Sequence, residues 1–96
     1  MRRRYIVAYD IRDEVRLRRV HDVVRSYGTR LQYSVFLCDL SQVEKIRLWE
    51  DLRPVMNQVE DSVMFVDLGE PAGRGTACFE FIGPAPDLPR DGPTIV

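Results

Sequence analysis

"TRLQYSVFLCDL", residues 29–40, is the stretch on which the fold turns. Its side chains alternate as a strand requires, with Leu31, Tyr33, Val35 and Leu37 on one side and Gln32, Ser34, Phe36, Cys38 and Leu40 on the other. Twelve residues exceed the usual strand. The stretch is therefore expected to bend or break near the Gln-Tyr-Ser step into two pieces. Two strands here, rather than one, place a pair of adjacent strands between two helical segments.

The flanking sequence supplies those segments. Upstream, "RYIVAYDI" (4–11) is almost continuously apolar and β-favouring, as in a central strand covered on both faces. Asp13 is a suitable N-cap, and Leu17, Val20, Val23, Val24 and Tyr27 then recur at helical spacing until Gly28, read as the stop. Downstream, "SQVE" (41–44) is a capping box that opens a helix carrying Val43, Ile46, Trp49, Leu52 and Met56, which Pro54 ends or kinks. "SVMFVDL" (62–68) and "TACFEFI" (76–82) read as two further strands joined by the loop "GEPAGRG" (69–75). The order β-α-β(β)-α-β-β predicts a ferredoxin-like α+β sandwich, with two helices on one face of the sheet. The domain is placed at 1–82. The segment 83–96, with four prolines, reads as an extended tail. Apolar residues on both sides of the strands, such as Tyr5 with Ile6 and Phe65 with Val66, call for cover on the second face. A homodimer would provide it.

Composition narrows the class. Ninety-six residues form one domain with a modest core. No apolar run is long enough to cross a membrane, the N-terminal stretch lacks the marks of a secretion signal, and two cysteines make neither a disulfide framework nor a zinc site. A reduced, cytoplasmic protein with no membrane association is expected. The net charge of −1 conceals a polarity: residues 1–30 hold nine arginines against four acids, a net +5, and the remaining 66 hold five bases against eleven acids, a net −6. Arginine's planar fork suits phosphate, although folding could bring the acidic half onto the basic one and neutralise it.

Candidate chemistry centres on "YDIRDEVRLRRV" (9–20), in which an aspartate ends the first strand and four arginines follow. Asp10 could hold a metal ion, with the arginines on a phosphodiester. Magnesium binds through one or two carboxylates plus waters and phosphate, so one Asp10 is not enough, whereas two copies brought together by a dimer axis would be. The plainer readings are a turn-forming aspartate for Asp10, a guanidinium reaching out from the edge of the apolar stripe for Arg16, a solvated helix face for Arg18 and Arg19, and a strand-edge charge for Arg30. His21, the only histidine, reads as a surface or packing residue. "RGTACFEF" (74–81) overlaps an RNA-recognition octapeptide, but Thr76 and Cys78 stand where stacking aromatics belong.

The segment 9–40 is more specific than composition. Residues 4–40 run as an apolar strand, Tyr-Asp-Ile, an acidic helix start, Arg-Leu-Arg, Tyr-Gly and Arg-x-Gln-x-Ser-Val-Phe, and in this they resemble the small CRISPR-associated adaptation protein, the Cas-two family of endoribonucleases. The resemblance implies a ferredoxin-like homodimer in which residues 76–82 of each chain add a strand to the partner's sheet. It implies that Asp10 is the metal ligand, and that Arg16, Arg18, Arg19, Arg30 and Phe36 act with it in catalysis. Arg12, Arg16, Arg18, Arg19 and Arg30 would contact nucleic acid, and Gln32 and Ser34 would be structural. The cofactor implied is Mg2+ or another divalent metal. The partners implied are RNA or DNA and the CRISPR integrase, the Cas-one family.

Two functions follow: a metal-dependent endonuclease on single-stranded RNA or double-stranded DNA that acts in spacer acquisition as the dimeric bridge between integrase subunits, and a catalytically silent architectural DNA-binding adaptor of the same adaptation complex. A small-molecule-binding domain of the same fold is the third reading.

Overall fold

Strand β1 (Arg3–Asp10) forms where β-favouring side chains are densest, and its two sides meet different surroundings. Tyr5, Val7 and Tyr9 are buried against the helices, whereas Ile6 and Ala8, facing the other way, are half-buried and Asp10 is exposed. The computed structural model describes residues 1–74 and 76–88. Residues 29–40 do break in two: β2 (Thr29–Gln32) and β3 (Val35–Leu40) pair antiparallel across a turn at Tyr33 and Ser34. With β4 (Ser62–Gly69) they form an antiparallel sheet in the order β2-β3-β1-β4. Helices α1 (Glu14–Arg25) and α2 (Gln42–Leu52) cover one face, giving the ferredoxin-like β-α-β-β-α-β arrangement.

Both helices start as their sequences dictate. The Asp13 carboxylate accepts from the Arg16 backbone N–H, and Ser41 and Glu44 close a reciprocal capping box. The core joins Val20 and Val24 of α1 with Leu48 and Leu52 of α2 over Tyr5, Val7, Tyr9, Phe36, Cys38 and Leu40. Burial pushes the Cys38 thiol up to about 12, so it is an inert packing group.

Four expectations need correction. Gly28 does not stop α1 by a left-handed turn. The helix ends at Ser26, whose N–H returns to the carbonyls of Val23 and Val24, and a side chain at Gly28 would run into Cys38 Sγ and the Leu37 carbonyl of β3. Glycine is needed there for close approach, not for a positive φ. On α2 the buried ridge is Leu48 and Leu52. Val43, Ile46 and Trp49 are exposed, because they sit around the helix from that ridge and only Trp49 reaches the sheet, stacking on Phe65. Pro54 does end the helix, within a single 3₁₀ turn (Arg53–Val55). The loop after β4 contains a short helix, α3 (Pro71–Arg74), started by its proline. Finally, residues 76–82 are not a strand in the single chain: they form a turn at 76–78 and then irregular backbone, since among the described residues they pair with no sheet edge. Cys78 is accordingly an exposed residue of a turn.

No helix among the described residues covers the second sheet face. Cross-strand partners share a face, which places Leu37 and Val66 beside Ile6, and Val35 and Met64 beside Ala8. Met64 and Val66 are exposed, and Asp10 lies on this same face at the end of the strip. The proline-rich end is irregular as far as it is described, and the β-prone "PTIV" at 93–96 lies outside the described residues.

Candidate metal and nucleic-acid site

Asp10 ends β1 opposite Ser62 of β4, with its side chain 69 % exposed and its carboxylate 3.5 Å from the Arg12 guanidinium. One accessible carboxylate is a fraction of a cation site. Among the described residues no three His, Cys, Asp or Glu side chains converge to hold a metal ion. The single chain therefore fits a divalent ion only in part, and a second carboxylate would have to come from another copy.

The residue that organises the neighbourhood is Asp61, which sequence reading missed. Its carboxylate is buried. It accepts from the backbone N–H of Arg12 at 2.9 Å, the backbone N–H of Asn57 at 2.9 Å and Arg16 Nε at 2.7 Å. Arg16 completes the cluster with a 2.8 Å bond to Glu60. The Arg16 guanidinium holds the Asp61 carboxyl well below the usual carboxylate range, helped by the two backbone N–H groups. Asp61 thereby ties the end of the α2–β4 connection to the loop that follows Asp10. Arg16 is engaged with two acids rather than displayed to solvent. The sequence holds a faint signal in Asn57, which folds back on the N–H groups of Val59 and Glu60 and so aims Asp61 inward.

Folding redistributes the charge seen in the sequence. Arg2 pairs with Glu44, Arg3 with Asp67, Arg4 with Asp39, and Arg16 with Glu60 and Asp61, so acids from the second half neutralise four arginines of the first. Arg2 holds the Glu44 carboxyl down to about 2. Arg12 faces Asp10 and Arg25 faces Asp22. Arg18, Arg19 and Arg30 alone of the nine face no carboxylate among the described residues. Arg30 lies over the Tyr33 ring at 5.3 Å and donates to the Gln32 carbonyl.

Phe36 sits in the core, fully buried between Tyr9 and the His21 ring. His21 is more than packing, because its Nδ1 is 2.9 Å from the Tyr9 hydroxyl. Burial pushes the Tyr9 phenol up, which keeps it protonated. Asp10, Arg12 and Arg16 thus gather at one end of β1. Arg18, Arg30, Tyr9 and His21 line a separate cleft on the helix side.

The family model described as CRISPR associated protein Cas2 matches residues 1–73. The chain belongs to the CRISPR-associated Cas2 family. Curated Cas2 relatives agree: "CRISPR-associated endoribonuclease Cas2 3" of Synechocystis is 42 % identical over 64 residues, covering 67 % of this chain and 70 % of that one. "CRISPR-associated endonuclease Cas2 2" of Thermus thermophilus is 38 % identical over 92 residues, covering 91 % of each. Among solved structures, Streptococcus pyogenes Cas2 superposes with a TM-score of 0.71 at 29 % identity, over 83 % of this chain and 99 % of that chain. The Cas2 match spans β1 through the Arg-x-Gln-x-Ser-Val-Phe segment, which carries every candidate residue named from the sequence.

Proposed function

We propose that the chain is a metal-dependent phosphodiester endonuclease that acts as a symmetric homodimer. The observation that carries this reading is the place of Asp10: an exposed carboxylate at the end of an apolar strip on the helix-free sheet face. Covering that strip with a second copy would bring two Asp10 side chains towards one axis. Like charges so placed favour a shared cation. A bound Mg2+ or similar divalent ion supplies charge neutralisation on phosphate and activation of the attacking water. Arg12 stands beside Asp10, and Arg18, Arg19 and Arg30 offer guanidinium groups to the phosphates on either side. Arg16, through Asp61, holds the loop on which Arg12 sits. The relatives' names, endoribonuclease and endonuclease, support a phosphodiester substrate in RNA or DNA.

The deciding experiment compares wild type with Asp10→Asn, a substitution at an exposed site that leaves the core intact. Magnesium-dependent cleavage of single-stranded RNA and duplex DNA should fall by two orders of magnitude or more. Undiminished cleavage by the purified variant overturns the mechanism.

A second reading rests on the arginines that face no acid. They suit a sequence-tolerant clamp on a duplex backbone, as an architectural subunit bridging the CRISPR integrase in spacer acquisition would need, with affinity falling steeply as salt rises. Asp10→Asn that binds duplex normally and supports spacer acquisition without cleaving would favour this reading over the first.

A further inference from the structure

Between α2 and the first half of β1, a cleft of about 480 Å³ opens on the helix side of the sheet. That volume lies within the roughly 300–1,000 Å³ typical of small-molecule sites. Its floor is Tyr5 and Leu40, both buried, and its walls are Ile46 and Trp49, both exposed. Trp49 stacks on Phe65 with its ring centroid 5.3 Å away, and its exposure leaves the rest of the indole to the cleft. Into this apolar hollow the helix places two charges of opposite sign, Lys45 and Glu50. Lys45 is the only lysine in the chain. Its Nζ lies 5.0 Å from the centroid of the Tyr5 ring, so the ammonium is held over the floor by a π-face and not by an acid. The acids nearby are taken: Glu44, next to it in the chain, by Arg2, and Asp67, opposite Tyr5 in the sheet, by Arg3 at the edge of the cleft. Glu50 is out of the i,i+3 and i,i+4 spacings at which side chains on a helix meet Lys45. Neither charge forms an ion pair among the described residues.

We infer that this cleft binds a small zwitterion, an α-amino acid with an aromatic side chain, whose carboxylate meets Lys45, whose ammonium meets Glu50 and whose ring lies on Trp49. Hydrogen bonds to ionised groups are about twice as strong as neutral ones, and an aromatic ring gains further from packing on another. A simple anion would be attracted by Lys45 and repelled by Glu50, and a simple amine the reverse, so a ligand bearing both charges is the one that satisfies both. The cleft opens on the helix side, away from the sheet face left for a second copy, and it stays accessible in a dimer formed through that face. The inference is independent of the nuclease reading, because Asp10 lies at the far end of β1 and on the other face of the sheet.

The test is isothermal titration calorimetry on the full-length protein with three probes that share one body: phenylalanine, hydrocinnamate, which lacks the ammonium, and phenethylamine, which lacks the carboxylate. Phenylalanine should bind at one molecule per chain, and the other two should bind about tenfold more weakly or worse. Lys45→Met, which keeps the apolar stem, should weaken phenylalanine about tenfold and bind phenethylamine no worse than wild type does. Glu50→Gln should weaken phenylalanine and bind hydrocinnamate no worse. Because Trp49 is the only tryptophan, its indole N–H gives a single NMR signal, which should shift as phenylalanine saturates the protein. The inference fails if phenylalanine does not bind, as when a second copy or a protein partner fills the cleft, or if hydrocinnamate or phenethylamine binds as tightly as phenylalanine. It fails equally if Lys45→Met or Glu50→Gln leaves phenylalanine affinity unchanged, or if the Trp49 signal stands still at saturation. The comparison of the three probes on wild type decides the matter even where a variant does not fold.

Discussion

At the residue scale, Asp61 is the side chain on which most converges: three donors from three separate segments meet one buried carboxylate. Asp61→Ala strands two backbone N–H groups and the Arg16 guanidinium. At about 1–3 kcal/mol for each unsatisfied buried group, the loss should reach several kcal/mol, with the Arg16 share reduced because water reaches its partly exposed side chain. Urea titration followed by circular dichroism measures it. The same residue sets the acid limb of the stability curve. Asp61 and Glu44 are held below their ordinary values of 3.8 and 4.5, Glu44 at about 2. The unfolded chain therefore binds protons first, and what these carboxylates contribute is complete above about pH 4.5 and drains away as pH falls towards the folded values. Thermal melts should fall steeply between about pH 4.5 and 2 in wild type, and less steeply in Asp61→Asn, whose melting temperature is already lower at pH 7.

At the element scale, close approach rather than propensity shapes the turn from α1 into β2. Gly28 lies against the Leu37 carbonyl and Cys38 Sγ, so even a methyl group must push β3 away. Gly28→Ala should cost about 1–3 kcal/mol, as overpacking does. A substitution that leaves the urea midpoint unchanged would show that β3 can yield. The elements also show what a sequence discloses. The break at Tyr33–Ser34, both N-caps and the α1 stripe follow from local spacing and hydrogen-bonding chemistry, so they were legible. The face of α2 was not, because Leu48 and Leu52 are buried by their angle to a sheet built from distant segments, and apolar neighbours at helical spacing look alike until that angle is known. At the candidate site, Asp10 and the arginines were singled out by the Tyr-Asp-Ile and Arg-Leu-Arg resemblance, since residue type alone leaves Asp10 a turn former and the arginines a solvated face. Which arginines stay unpaired was not legible, since that depends on acids 35 to 64 residues away along the chain, as for Arg4 with Asp39 and Arg3 with Asp67. Asp61 escaped for the same reason, and the Tyr9–His21 pair because it forms only once α1 has docked on β1.

At the scale of the whole molecule, the segment 76–82 and the outer edge of β4 belong to one question. The segment alternates apolar residues, Phe79 stacks with Phe81, and Ile82 is fully exposed, yet among the described residues it joins no sheet. Beside β4, Trp49 and Phe65 line a groove of about 110 Å³ with Met56 and Val63. Exchange of 76–82 between two chains would pair that segment with the outer edge of β4, the arrangement that the family resemblance implies for a homodimer. Removal of residues 76–96 should leave a monomer by sedimentation velocity. Removal of 83–96 alone should leave the dimer intact and abolish association with the integrase, if the β-prone end "PTIV" of the tail is what adds to that partner's sheet edge. A dimer that survives the longer truncation would mean that the helix-free sheet face suffices without strand exchange.

The two borders of the sheet are unlike. β2 is four residues long, irregular between Arg30 and Gln32 and guarded by a charged side chain, whereas β4 runs for eight residues, in regular register from Ser62 to Asp67 and shifted only at its Gly69 end, with apolar neighbours. Short, kinked and charged margins discourage further pairing, and long plain ones invite it. A molecule that can be extended on one side only has no means of propagating: once that side is taken, growth ends, so the same stickiness that brings two copies together cannot run on into a fibre.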